Sequence, residues 1–195
     1  AKMALENGID LIIELPVITA TSSAENFAQG GVCLLNALGV VSQISFGAEA
    51  NTASDVNLLG RLADFFAFEP PIFQEYLDQA LKSGCSFPAA RAKAALTCLQ
   101  QAKHHSMDSQ TLAQFEQLLA SPNNILAIEY MKAIRRHNCK LTPSVVTRTG
   151  AGYHDADTDT ALASASALRK FIFQDTSDQK NNFDTLNQML TRTVA

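Results

Sequence analysis

The sequence predicts an α/β fold with parallel strands and a helical insertion. Three patterns indicate this class: an apolar run at 9–15 bounded by Gly8 and Pro16, a second apolar run at 40–46, and a helical pattern between them. Continuous apolar runs are typical of strands buried on both faces of a parallel sheet. Strand, helix and strand at this spacing predict a βαβ unit, whose crossover is right-handed in almost all proteins.

Residues typical of helix N-termini and C-termini predict where the helices begin and end. The first helix is predicted to begin at the serines and glutamate of 22–25 and to end at Gly39, because serine caps helix N-termini and glycine ends helices. The segment that follows has only helical patterns, and Pro71 and Pro88 stand where the first turn of a helix accepts proline. The predicted helices are Ala53–Phe66, Pro71–Ser83, Pro88–Lys103 and Ser109–Leu119.

The last third of the chain returns to mixed structure. We expect a helix from Ser121-Pro122 onwards, with an apolar face that includes Ile128. A third short strand is predicted at Val145–Arg148, followed by a loop and a helix at Ser164–Phe173.

Composition limits the classes of protein that this chain can belong to. The chain has 195 residues, 47% hydrophobic and 17% charged, which is typical of a folded globular protein. Its net charge of -4 argues against a generally basic nucleic-acid-coating protein. Four scattered cysteines without a C-x-x-C pair indicate reduced thiols in a cytoplasmic protein, and no apolar run is long enough to span a membrane.

The strongest candidate for phosphate binding combines arginines with a helix start. Arg148 stands beside two glycines, and Ser164 and Ser166 precede Arg169 by less than two helical turns. Free N–H groups at a helix N-terminus attract phosphate oxygens, and a guanidinium binds two such oxygens at once. These residues therefore predict a site for a nucleoside triphosphate.

Other motifs have two interpretations each. Gly47 follows a predicted strand and is either a plain turn or a close approach to a nucleotide, and Asn123-Asn124 either begins a helix or binds a ligand. A basic group consists of Lys132, Arg135, Arg136, Lys140 and Arg148. It either faces solvent or contacts RNA phosphates. The acidic run at 154–159 lacks the pattern of a metal loop, so we predict no metal site.

Several of these motifs together resemble one family. In order they are KMALENGIDLIIELP, SAENFAQGGVCLLNALGV, SFGAE, SFPAAR, SPNNILAIEYMKAI, TRTGAGYHD and SASALRK. From residue 1 to about 172 the chain resembles the tRNA(Met) cytidine acetate ligase family of bacterial nucleotidyltransferase-like proteins.

The resemblance implies a Rossmann-like nucleotidyltransferase fold and an ATP-dependent RNA-modifying enzyme. Such an enzyme activates acetate as acetyl-adenylate, using ATP with Mg²⁺, and acetylates N4 of the wobble cytidine of elongator tRNA(Met). It implies a nucleotide-binding domain at 1–52 and 121–175, a helical insertion at 53–120 and a truncated helical tail at 176–195. The implied ATP contacts are Gly47, Asn123 or Asn124, Arg148, Ser164, Ser166 and Arg169, and the implied RNA contacts are Lys132, Arg135, Arg136 and Lys140.

One feature of the family is missing. Its histidine-bearing HIGH-like motif belongs to an N-terminal strand, loop and helix, and no H-x-G-H occurs in these 195 residues. We therefore expect a fragment without catalytic residues of its own, inactive alone. Two alternatives stay open: an adenylyltransferase acting on a small phosphorylated metabolite, and a non-catalytic RNA-binding domain. A homo-oligomer also stays open.

Overall fold

The computed structural model describes residues 1–101 and 108–147 as eight helices and two strands. Four caps explain where the larger helices begin: the side chains of Ser23, Thr52, Asp108 and Ser121 each accept a hydrogen bond from a backbone N–H in the first turn. The helices are α1 Lys2–Glu6, α2 Val17–Ala20, α3 Ala24–Ala37, α4 Ala53–Ala67, α5 Pro71–Lys82, α6 Phe87–Gln101, α7 Ser109–Ala120 and α8 Pro122–Arg136, and the strands are β1 Gln43–Ala48 and β2 Thr142–Thr147.

The predicted helices between 22 and 136 are confirmed, with ends that differ by one or two residues where the structure describes them. Gly39 follows α3 in the left-handed region at φ 71°, as expected of a helix stop. At α4, Thr52 and Asp55 form a reciprocal capping box, in which each side chain accepts the other's backbone N–H. Local side-chain chemistry therefore determines most helix starts.

The sheet differs from the prediction. β1 and β2 pair in parallel, with Gly47 opposite Val146, and helices α4 to α8 connect them. The second predicted strand begins three residues later than expected, at Gln43, and Val40, which lies before the strand, is 86% exposed. The third begins earlier, at Thr142, and its predicted last residue, Arg148, lies outside the described residues.

The strand predicted at 9–15 is not formed. The segment has no regular secondary structure, and Leu11 is 66% exposed. A strand needs a neighbour for its backbone N–H and C=O groups, and in the described part of the chain β1 and β2 pair only with each other. Leu11, Ile13 and Leu15 line an apolar groove together with α3. The βαβ unit expected in the first fifty residues is therefore wrong at its first strand.

Helix α8 connects two apolar cores. On one side it contributes Ile128 to a core of α4, α5, α6 and α7, where Phe65, Phe66 and Phe73 pack edge to face at 5.2 to 6.0 Å between ring centroids. On the other side it contributes Ile134 to a smaller core with α3 and β1. Both cores fix α8, so its first turn is held firmly beside the end of β1. Within the described ranges, no helix is long and apolar enough to cross a membrane.

Candidate functional site

The first turn of α8 lies against the carboxyl end of β1, where ligands of parallel α/β sheets bind. Glu49, directly after β1, joins the two elements. Its carboxylate accepts hydrogen bonds from the Ser121 hydroxyl at 2.7 Å and from the Asn123 side-chain amide at 2.7 Å. Its backbone N–H donates to Oδ1 of Asn124 at 2.8 Å. Three hydrogen bonds therefore lock the strand end to the helix start.

The two asparagines play different parts in this lock. Asn124 is only 2% exposed, and its side-chain oxygen satisfies the backbone of Glu49. Asn123 is half-buried, and its amide nitrogen donates to the Glu49 carboxylate. A carbonyl oxygen has two lone pairs, so Oδ1 of Asn123 retains acceptor capacity. The structure thus separates two residues that the sequence left as alternatives.

Gly47 lies in β1, one strand position before the buried Ala48, and is exposed. It is therefore a strand residue and not the turn that one interpretation of the sequence predicted. At the same edge of the sheet, the hydroxyl of Thr147 at the end of β2 donates to the carbonyl of Ala50 at 2.9 Å. This bond joins the two strand ends immediately before Arg148 in the sequence.

The residues predicted to bind the phosphates of ATP lie outside the described residues. These are Arg148, Ser164, Ser166 and Arg169, and the acidic run at 154–159 lies there too. Among residues 1–101 and 108–147, no three His, Cys, Asp or Glu side chains converge to hold a metal ion. The four cysteines are free thiols, as the sequence predicted.

The basic group does not form one surface. Lys132 is 3% exposed, and its ammonium lies 2.7 Å from Glu25 and 2.7 Å from Glu129. A buried and doubly paired ammonium has no access to an RNA phosphate, so the structure corrects the expectation for Lys132. One partner, Glu25, comes from α3, 107 residues away, and the other, Glu129, lies one helical turn before Lys132 on α8.

The other members of the basic group are more accessible. Arg135 pairs with Asp64 of α4, and Arg136 contacts Glu25 at 3.1 Å and the carbonyls of Phe66 and Ala67 at 3.3 Å. Lys140 is exposed after α8. The arginines thus tie α8 to its neighbours, while Lys140 stays at the surface.

Sequence reasoning missed a buried charge network around α8. Glu129 is 1% exposed and lies 2.6 Å from Nη1 of Arg91 as well as next to Lys132. These contacts act as ion pairs rather than aligned hydrogen bonds. Glu129 and Arg91 stand within the SPNNILAIEYMKAI and SFPAAR segments, and a glutamate near the apolar face of a predicted helix indicates a buried charge. Glu49 was likewise visible in SFGAE.

Charge also shifts the protonation of Glu25. Burial acts to raise the pKa of its carboxyl, but the hydrogen bond and charge of Lys132, together with the charges of Arg91 and Arg136, lower the pKa below its ordinary value. Glu25 therefore stays ionised and holds two cations of α8. In the smaller core, burial raises the pKa of the Tyr130 phenol, whose ring stacks on Phe46 at 5.2 Å.

The comparison with known proteins places the chain in a family. A family model described as HIGH nucleotidyl transferase matches residues 1–194. The chain belongs to this family. The match, together with parallel strands and a helical segment between them, confirms the predicted α/β fold of the Rossmann-like nucleotidyltransferase type.

The chain is also similar to proteins named tRNA(Met) cytidine acetate ligase. A tRNA(Met) cytidine acetate ligase of Clostridium perfringens strain ATCC 13124 is 44% identical over 183 residues, which cover 93% of this chain and 44% of that relative. One from Halothermothrix orenii is 40% identical over 173 residues, covering 89% of this chain and 40% of that relative. The chain thus spans less than half the length of these relatives.

Solved structures show the same similarity. The apo structure of Thermotoga maritima TmcAL has a TM-score of 0.78 and 29% identity, over 98% of this chain and 44% of that one. TmcAL bound with alpha-thio ATP has a TM-score of 0.77 and 27% identity, over 100% of this chain and 43% of that one. The predicted resemblance to the tRNA(Met) cytidine acetate ligase family is therefore confirmed.

Proposed function

We propose that the chain is part of an ATP-dependent tRNA(Met) cytidine acetate ligase and contributes contacts to both the nucleoside and the phosphates of ATP. The observation that carries the proposal is the lock between the end of β1 and the start of α8. It joins the SFGAE and SPNN segments at the strand edge, in a chain similar to a protein solved with an ATP analogue. This edge is the usual ligand position in such sheets.

The proposed reaction has two steps. The acetate carboxylate attacks the α-phosphorus of ATP, an acetyl-adenylate forms, and pyrophosphate leaves. N4 of the wobble cytidine of elongator tRNA(Met) then attacks the acetyl carbon, loses a proton and releases AMP. Mg²⁺ typically accompanies ATP by binding its phosphates. The cysteines, free as in a reducing compartment, support a cytoplasmic enzyme.

Each residue of the proposed site has a separate role. Asn123 contacts the nucleotide with its side-chain oxygen, while Glu49 and Asn124 position it by fixing α8 on β1. Gly47 offers an exposed backbone at the strand edge with no side chain to exclude a ligand. Arg148, Ser164, Ser166 and Arg169 would contribute the phosphate contacts.

Fewer basic residues are accessible to tRNA than the sequence indicated. Lys140 is exposed, and the side chains of Arg135 and Arg136 are 26% and 40% exposed. We propose these three as phosphate contacts for tRNA. Their charge would be screened by salt, so tRNA affinity should fall as salt rises.

The test is acetylation of elongator methionine tRNA by the enzyme that contains this chain, with acetate and ATP both required. Asn123→Ala should raise the KM for ATP at least tenfold, since it removes a proposed ligand contact. Asn57→Ala, on the exposed side of α4, is the matched control and should leave the KM unchanged. Pyrophosphate release that needs a small phosphate ester and ignores tRNA would contradict the proposal in favour of a metabolite adenylyltransferase.

A further inference from the structure

A charge network centred on Glu129 connects α8 with other helices. The Glu129 carboxylate lies 2.6 Å from Nη1 of Arg91 on α6 and 2.7 Å from Nζ of Lys132 on α8. Lys132 in turn lies 2.7 Å from Glu25 on α3. The guanidinium carbon of Arg91 also lies 3.9 Å above the ring centroid of Phe66 on α4. The network therefore ties α8 to α3 and α6, and through Arg91 to α4.

Stability alone does not explain why three charged side chains are buried at the centre of this network. The side chains of Glu129, Lys132 and Arg91 are 1%, 3% and 16% exposed. Removing charges from water costs about as much as their mutual attraction returns, so apolar side chains of similar size are often equally stabilising. The best-attested use of buried polar and ionic groups is to fix one register among several. The network is therefore suited to fix where α8 lies.

The position of α8 matters for the nucleotide site because Asn123 stands in its first turn. Apolar packing holds α8 against its neighbours, but apolar cores lose uniqueness before they lose stability. The Glu49 lock fixes one end of the helix, and a second fixed point is needed to set its tilt and rotation. Glu129 provides one six residues after Asn123, which is about 9 Å along the helix axis. A misplacement of about 1 Å is enough for a positioned group to lose most of its effect.

We propose that Arg91, Glu129 and Lys132 are positioning residues for the nucleotide site. They set the tilt and rotation of α8 and so hold the side-chain oxygen of Asn123 at the carboxyl end of β1. None of the three contacts the nucleotide itself. The inference rests on the proposed function, which supplies ATP as the ligand of Asn123.

The experiment replaces the three charges together, in the enzyme that contains this chain, by apolar side chains of similar size. The triple variant is Arg91→Met, Glu129→Leu and Lys132→Met. Because Glu25 keeps Arg136 at 3.1 Å, no carboxylate of the network loses all its partners, and we expect a Tm close to that of the wild type. The Kd for ATP, measured by calorimetry, should rise at least fivefold. Fivefold corresponds to about 1 kcal/mol, the usual net contribution of one hydrogen bond.

Steady-state kinetics should show the same effect on the KM for ATP, with kcat changed less than twofold. Asn123 is proposed to bind the nucleoside, which is present in ATP and in acetyl-adenylate alike. Loss of an interaction made equally in the ground state and the transition state raises KM and leaves kcat unchanged.

Asp64→Asn is the matched control. It breaks the ion pair of Asp64 with Arg135, which belongs to the same helix but lies nearer the surface, with side chains 59% and 26% exposed. The Kd for ATP should stay unchanged. A purely structural role of the network predicts that ATP binding recovers when stability does, so a triple variant with the wild-type Tm and less than a fivefold rise in Kd would overturn the proposal.

A second variant decides the case in which the triple variant does not fold. Arg91→Met leaves the Glu129 carboxylate paired with Lys132 and should raise the Kd for ATP at least threefold, and a smaller rise would overturn the proposal. Wild-type enzyme that binds ATP but does not acetylate elongator methionine tRNA would contradict the proposed function, while the comparison of Kd values would still decide the role of the network. Wild-type enzyme that does not bind ATP would overturn both.

Discussion

At the scale of single residues, two neighbouring asparagines that look equivalent in sequence are expected to behave differently. Asn124→Ala removes the acceptor for the Glu49 N–H in a part-buried site, and an unsatisfied donor there costs about 1–3 kcal/mol of unfolding free energy. Asn123→Ala removes a half-buried amide and should cost less than about 1 kcal/mol. Urea unfolding of the two variants measures the difference, and equal losses would contradict the division into a positioning residue and a contact residue.

Lys132 offers a second residue-scale prediction. Lys132→Met leaves the Glu129 carboxylate buried with one partner instead of two, and breaking a buried ion pair typically costs about 3–5 kcal/mol. Because Arg91 still pairs with Glu129, we expect a loss at the lower end of that range. The double variant Lys132→Met with Glu129→Gln should recover part of the loss, as denaturant unfolding can show. A surface lysine that served only RNA would show neither the loss nor the recovery.

At the scale of elements, two adjacent glycines of α3 provide a matched pair. A Cβ on Gly30 would lie 2.7 Å from Cγ2 and 2.8 Å from Cβ of Thr19, so it would collide with the Thr19 side chain of α2. A Cβ on Gly31 would meet only the Tyr130 ring, at 3.8 Å, which is ordinary van der Waals contact. Gly30 therefore sets the packing of α2 on α3, and Gly31 does not.

Gly30→Ala should therefore destabilise the protein by about 1–3 kcal/mol through overpacking. Gly31→Ala should stabilise it by about 0.5–1 kcal/mol, because alanine favours a helix interior over glycine. Thermal unfolding of both variants distinguishes them by sign. Gly30→Ala should cost less in a Thr19→Gly background, which lacks both clashing atoms, and an unchanged cost there would mean that the contact with α2 is not the cause.

At the scale of the whole molecule, local signals were predictable and long-range pairings were not. Ser23, Thr52 and Ser121 carry their capping partners within three residues, so the sequence alone located the starts of α3, α4 and α8. The segment at 9–15 has the apolar character of a buried strand, but a strand also needs a hydrogen-bonding neighbour, which sequence pattern cannot supply.

The candidate site follows the same rule. The motif segments around Glu49 and Asn124 were identified, but their joining depends on residues 75 positions apart. Lys132 was misassigned for a similar reason, since Glu25 is 107 positions away and Glu129 lies inside what looked like a helix with an apolar face. Charge runs read along the chain therefore miss the partners that the fold brings in.

The same long-range pairing predicts how the stability of the molecule depends on pH. The folded-state pKa of Glu25 is lowered by Lys132 and its neighbours against the effect of burial, and the pKa of Asp108 is lowered by the backbone and side-chain hydrogen bonds of Thr111. The unfolded chain therefore binds more protons than the folded one in mild acid, so stability rises with pH there. The contribution is complete above the ordinary carboxyl pKa values of about 4 and is lost as the pH falls through the lowered folded-state values.

Urea unfolding between about pH 6 and pH 3 should thus show a decline in unfolding free energy that begins near the ordinary carboxyl range. Glu25→Gln removes one titrating group from this window and should flatten the decline, whereas Glu75→Gln, exposed on α5, should leave its slope as it was. Stability that increased on acidification, or an unchanged slope in Glu25→Gln, would show that the Lys132 pair does not hold Glu25 ionised. Because Glu25 connects α3 to α8, the same titration reports when the two helices lose their charge link.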